Sequence, residues 1–99
     1  MIIVSGTMSF GAGTRERVLQ AVKAVEAKTH QEEGCITYRF YVDRDDENTI
    51  RVFEEWSSEA TLAAHAKSDH LAAFRAELKA IGLEARDVKL YTVSDIKQL

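Results

Sequence analysis

Two stretches of this chain alternate apolar and polar residues with a period of two, and only a short polar run separates them. Ile36, Tyr38, Phe40 and Val42 share one face of the first, and Ile50, Val52, Glu54 and Trp56 share one face of the second. Between them lies Arg44-Asp-Asp-Glu-Asn48. A period of two marks a strand whose faces meet different surroundings, and the polar run is of hairpin length. Pairing Val42 with Ile50 sets Tyr38 opposite Glu54 and Ile36 opposite Trp56; only even offsets keep the apolar faces together. A hairpin with one apolar face is not stable by itself, so the remaining chain must cover it.

The flanking segments supply the cover. Ile2 to Met8 opens with a β-branched run and reads as a strand, followed by the flexible Ser9-Phe-Gly-Ala-Gly13. Thr14 then stands where an N-cap belongs, ahead of Val18, Ala21, Val22 and Val25 at helical spacing. Glu32-Glu33-Gly34 is expected to end that helix, with the glycine as a left-handed C′ residue. After the hairpin, Ser57 or Ser58 can cap a helix running to about Lys67. Ser68-Asp69 reads as a second cap before Leu71, Phe74, Leu78 and Ile81, and Gly82 stops the run. Val88 to Val93 is the last expected strand.

The order is β-α-β-β-α-β in one domain over residues 1–99, with the second helix broken near Ser68. That is an α+β, ferredoxin-like arrangement: a four-stranded antiparallel sheet with its helices on one face. Ile3, Arg39, Tyr41, Phe53, Tyr91 and Val93 would then occupy the uncovered face. They are apolar enough to predict a homodimer packed sheet against sheet, a dimeric α/β-barrel.

Composition removes several classes of function. With 45% hydrophobic and 29% charged residues the chain folds, and its net charge of −3 without a basic patch argues against nucleic acid. No apolar run approaches a membrane span, and MIIVSGTM is not a signal peptide. The one cysteine, Cys35, cannot pair within the chain, which favours a reducing, cytoplasmic setting.

Glu54 is the anomaly. Strand alternation places a carboxylate on a face otherwise meant for the core, where an unpaired charge would cost several kcal/mol. His65 follows Leu62 by three residues and shares its stripe; His70 precedes Phe74 by four. Imidazole from the helix and carboxylate from the sheet can therefore line one cavity. Each also has a plain structural role open to it: Glu54 reaching solvent from a strand end, Trp56 as core, His65 as a hydrogen-bonded helix residue. His30 is expected at the surface.

Metal chemistry has no motif here. His65 and His70, five apart, diverge by about 140° on an ideal helix, and no HExxH, facial-triad or CxxC spacing accompanies them. Cys35 beside a histidine could form a nucleophilic pair, but a small cysteine at a strand start usually packs inertly. Phe10-Gly-Ala-Gly-Thr14 lacks the lysine of a P-loop and the full GxGxxG, so it reads as a turn.

From Glu32 to Phe74 the chain resembles the antibiotic-biosynthesis monooxygenase superfamily, most of all its small quinol-monooxygenase-like branch. The resemblance rests on Glu32-Glu33-Gly34 with Tyr38 four residues beyond the glycine, Glu54-x-Trp56 after the hairpin, then His65 and His70 before an aromatic. It implies a dimer with one cavity per subunit that oxidises quinols or other electron-rich phenols with dioxygen and without metal or flavin. A haem-degrading relative would carry a histidine where Arg75 stands and an asparagine within Ile2 to Ser9, so that branch is disfavoured.

Such chemistry needs a base to turn the substrate into a delocalised anion, and a dry aromatic pocket to hold it. His65 is the expected base and Glu54 its orienting partner. Trp56, Tyr38 and Phe40 are expected as walls that bind the substrate, the Tyr38 hydroxyl as a donor to its oxygen, and His70 as a second candidate base at the rim. Two alternatives stand beside the oxygenase: an isomerase or tautomerase of a small dicarbonyl metabolite, and a dimer that binds a small molecule without turnover.

Overall fold

The computed structural model describes residues 1–99. In chain order the elements are β1 (Ile2–Phe10), α1 (Arg15–Thr29), β2 (Cys35–Val42), β3 (Thr49–Trp56), α2 (Glu59–Ala66), α3 (Asp69–Ile81) and β4 (Leu83–Thr92). All neighbouring strands are antiparallel in the order β2-β3-β1-β4, which is the ferredoxin-like arrangement. No helix is long and apolar enough to cross a membrane.

The hairpin forms in the expected register: Val42 faces Ile50, Phe40 faces Val52 and Tyr38 faces Glu54. It fails at one point. An irregularity between Cys35 and Thr37 sets Cys35, not Ile36, opposite Trp56, and Ile36 is 54% exposed. A bulge inserts one residue into one strand only, so the residue before it leaves the face that strict alternation assigns.

The core lies between helices and sheet. Val18, Val22 and Val25 of α1 and Leu71, Phe74 and Leu78 of α3 pack over Ile2, Met8, Phe10, Tyr38, Phe40, Ile50, Val52 and Trp56. α1 also seals the outer edge of β2, where the Glu26 carboxylate accepts from Phe40 N–H at 2.8 Å and His30 Nε2 meets the Tyr38 carbonyl at 2.7 Å. These contacts satisfy backbone groups that an edge strand otherwise leaves open. His30 is exposed as expected, but its ring is engaged.

Three boundaries differ from expectation. α1 ends at Thr29, before Glu32-Glu33-Gly34, because a short turn of its own occupies residues 30–34. Gly34 does adopt positive φ (+81°), and a Cβ there would lie 2.4 Å from Thr61 Cγ2, so the turn presses directly on α2. Thr14 caps α1 by position only; its hydroxyl donates to the Gly11 carbonyl instead. β4 begins at Leu83, five residues before Val88, and pairs with β1 along its whole length. Its polar Glu-Ala-Arg-Asp start hid that strand, since an edge strand with little cover carries no apolar alternation.

The break between α2 and α3 is where the sequence placed it. The Ser68 hydroxyl donates to the His65 carbonyl at 2.7 Å and accepts from Leu71 N–H at 3.3 Å, so one side chain closes α2 and opens α3. On the helix-free face of the sheet, Tyr41 and Tyr91 are each 50% exposed, while Ile3, Phe53 and Val93 are half-buried.

Candidate active site

Between the sheet and the α2–α3 arm lies a cavity of about 250 Å³. β1 contributes Val4 and Met8, β2 contributes Tyr38 and Phe40, and β3 contributes Val52 and Glu54; Val88 and Arg86 close it from β4. From above, α2 supplies Leu62, His65 and Ala66, and α3 supplies Leu71, Phe74, Arg75 and Leu78. Strand alternation explains the lower wall and the three- and four-residue helix repeat explains the upper one.

Glu54 and His65 both reach this cavity, as the sequence suggested. They are not partners of one another. Glu54 Oε1 accepts from the Trp56 indole N–H at 2.9 Å. His65 Nδ1 instead meets Glu32 Oε2 at 2.6 Å, and His70 Nε2 meets the same oxygen at 2.8 Å. The orienting carboxylate of His65 is therefore Glu32, and the expectation that Glu54 holds the imidazole is corrected. Geometry decides this. Glu54 and Trp56 point to the same face two residues apart on one strand, so the indole takes the carboxylate before the helix can.

Trp56 and His70 also stand elsewhere than expected. Trp56 is fully buried and lines no part of the cavity; it backs the His65 ring, with centroids 4.8 Å apart. Tyr38 meets the same imidazole edge-on at 5.1 Å and the Phe40 ring at 5.6 Å. His65 is thus fixed on two sides by aromatic rings and at Nδ1 by a carboxylate. His70 lies outside the cavity, on a broader groove between α1 and α3 that Ala21, Ala24, Lys28 and Phe74 also border.

Burial and charge shift the titrating groups in opposite directions. Burial pushes the Glu54 carboxyl up to about 7, against the pull of the Trp56 hydrogen bond and Arg86. Burial lowers His65, opposed by its contact with Glu32. The Tyr38 phenol is raised, first by burial and then by Glu54, so it stays protonated. Near neutrality the cavity therefore holds a neutral imidazole of fixed tautomer and a carboxyl that can exchange its proton. Two guanidinium groups, Arg75 and Arg86, border the same space.

Glu32, Arg75 and Arg86 are the residues that sequence reasoning missed as site members. Arg86 sat in a strand whose start was not seen. Glu32 is 33 residues from His65 and 38 from His70 in sequence, and only its place in the Glu-Glu-Gly run signalled it.

Comparison with known proteins agrees with the fold. The family model described as antibiotic biosynthesis monooxygenase matches residues 1–77. Among curated proteins, the uncharacterized sll1783 of Synechocystis is 24% identical over 98 residues, covering 99% of this chain and 67% of its own length. YjcS of Bacillus subtilis, also uncharacterized, is 32% identical over 53 residues, 54% of this chain and 50% of its own length. A Deinococcus radiodurans crystal structure, provisionally assigned as an antibiotic biosynthesis monooxygenase, superposes with a TM-score of 0.94 at 20% identity, covering 100% of this chain and 98% of its own. A Bacteroides thetaiotaomicron protein of unknown function, described as a possible oxidoreductase, gives a TM-score of 0.78 at 26% identity and 91% and 92% coverage. With its family model matched from Met1 to Glu77 and its fold shared from end to end, the chain belongs to the antibiotic biosynthesis monooxygenase family.

Proposed function

We propose that the protein is a cofactor-independent monooxygenase that oxidises a small, electron-rich aromatic substrate of the quinol or phenol class with dioxygen. The observation that supports this most is the pairing of a neutral, aligned imidazole with an aromatic-walled cavity of about 250 Å³. That volume is slightly below the roughly 300–1,000 Å³ of common ligand pockets, and it suits one or two fused rings.

His65 takes a proton from the substrate, leaving an anion delocalised over the ring. The Glu32 contact holds Nδ1, so Nε2 is the nitrogen left to act. Arg75 and Arg86 stabilise the negative charge as it forms. The anion gives one electron to dioxygen, the radicals combine into a carbon–oxygen bond, and loss of water from the peroxide leaves a carbonyl. Glu54, balanced near neutrality, gives the proton that the departing oxygen needs, and the proton held by His65 then restores it. Tyr38 and Phe40 grip the flat ring.

Oxygen uptake in the presence of a panel of benzo- and naphthohydroquinones tests the proposal. We expect consumption above autoxidation, reduced about 10²–10⁴-fold by His65→Ala, the usual worth of a general base. Unchanged turnover in that variant overturns the base assignment. The two acid–base groups shifted in opposite directions also favour a second activity, proton transfer within a small dicarbonyl. Product formation without oxygen uptake would select it. A ligand that raises the melting temperature without any product would leave only a binding protein.

A further inference from the structure

Behind the cavity, three side chains from three segments converge. Glu32 comes from the turn after α1, His65 from the last turn of α2 and His70 from the first turn of α3. One donor atom from each lies within 4.8 Å of the others. We propose that this trio binds a divalent first-row transition ion of the Zn²⁺, Co²⁺ or Ni²⁺ class, with His65 Nδ1, His70 Nε2 and a Glu32 carboxylate oxygen as its protein ligands.

The donor set selects the ion. Two imidazoles and one carboxylate suit these metals, whereas Mg²⁺ and Ca²⁺ prefer all-oxygen surroundings. An ion about 2.0–2.1 Å from each donor holds the donors roughly 3 Å apart. The contacts of 2.6 and 2.8 Å on Glu32 Oε2 open by about half an ångström, and the two ring nitrogens, within 4.8 Å of one another, close to about 3.3 Å by a movement of the partly exposed His70. Each neutral ring moves its proton to the nitrogen that faces away from the ion, which for His65 is Nε2, so the ion-bound form is distinct from the form in which Nε2 acts as a base.

The trio is also prepared for a ligand. The His65 ring is clamped between Trp56 and Tyr38, so its Nδ1 has one position. Gly34, pressed against Thr61, anchors the turn that presents Glu32. The side chain of His65 is 4% exposed, but those of Glu32 and His70 are 17% and 22% exposed, so an ion enters from the His70 side. Three protein ligands leave at least one coordination position for solvent or an exogenous ligand.

Titration of the metal-free full chain with Co²⁺, followed by visible d–d absorption and by paramagnetic broadening of histidine ring resonances, tests the site. We expect one Co²⁺ per chain, with broadening of His65 and His70 but not His30. Glu32→Gln and His70→Ala, both at partly exposed positions and checked for folding by circular dichroism, should each weaken binding at least as much as the roughly 10–100-fold typical of outer-sphere losses. His30→Ala should bind as the parent does, and excess Mg²⁺ should not displace the ion. Absence of uptake at millimolar Co²⁺, uptake indifferent to the two variants, or displacement by Mg²⁺ overturns the site. No substrate enters this experiment, so its failure is distinguishable from failure of the monooxygenase proposal, and uptake of the ion predicts that Co²⁺ blocks His65 as a base.

Discussion

Replacing Glu54 by glutamine should stabilise the protein, and only at the higher end of the pH range. The Glu54 side chain is buried, and its carboxyl is pushed up to about 7 from the ordinary 4.5. Below 4.5 the group is protonated in both folded and unfolded chains and costs nothing. Between 4.5 and about 7 the unfolded chain releases the proton while the folded one keeps it, so stability falls; above that the full cost is present. At 1.36 kcal/mol per decade, the whole penalty is about 3 kcal/mol. Glutamine cannot ionise, and its carbonyl can still accept from the Trp56 indole, a bond of 2.9 Å in the parent. Urea unfolding of parent and Glu54→Gln at pH 5 and pH 8 measures the difference. The advantage of the variant should be about 2–3 kcal/mol larger at pH 8 than at pH 5. A difference that does not change with pH would refute the claim that Glu54 holds its proton in the native cavity.

Three further outcomes follow from packing. Gly34→Ala should cost about 2 kcal/mol or more, from the positive φ and the 2.4 Å approach to Thr61 Cγ2, and Thr61→Ser should restore part of it; a loss below about 0.5 kcal/mol in a denaturation curve would contradict the structure. Thr29 is fully buried with its hydroxyl unpartnered, so the isosteric Thr29→Val should raise stability by about 1–2 kcal/mol, and a fall in melting temperature would show that the hydroxyl is satisfied. We further propose that Tyr41, Phe53, Tyr91 and Ile3 on the helix-free face bury against a second copy; light scattering should give twice the 11.1 kDa chain mass, Phe53→Asp should halve it, and a monomer at micromolar concentration would reject the dimer.

Much of the fold was legible because burial repeats with the period of each element. The apolar alternation of β2 and β3 set their register to the residue from Tyr38 to Val42, and Ser58, Ser68 and Gly82 stood at helix ends as their side-chain chemistry requires. Two features lacked such a signal. The irregularity at Cys35 to Thr37 is a local insertion that no periodicity encodes, and the first half of β4 is a largely uncovered edge. At the site, alternation correctly sent Glu54 and His65 into one space, since each inherits its direction from apolar neighbours. It could not say which group each would bond. Hydrogen-bond partners depend on reach across tertiary distances, and there the indole two residues away outcompeted the imidazole above.

The same limit applies to the spacing of His65 and His70, which on one continuous helix sets the two rings apart. An ideal helix carries side chains five residues apart to directions about 140° apart, which is correct and does not apply. Ser68 ends one helix at His65 and starts another before His70, so the two rings belong to separate rigid rods and their angle is set by the turn. The predicted break and the predicted divergence were in conflict, because a rotation per residue holds only while the hydrogen-bond ladder continues. Once Lys67 leaves the ladder, the rings can approach to 6.0 Å and share one carboxylate oxygen. Helix capping is therefore what assembles this site: it costs the arm a few backbone bonds and brings an imidazole from each side of the break to Glu32.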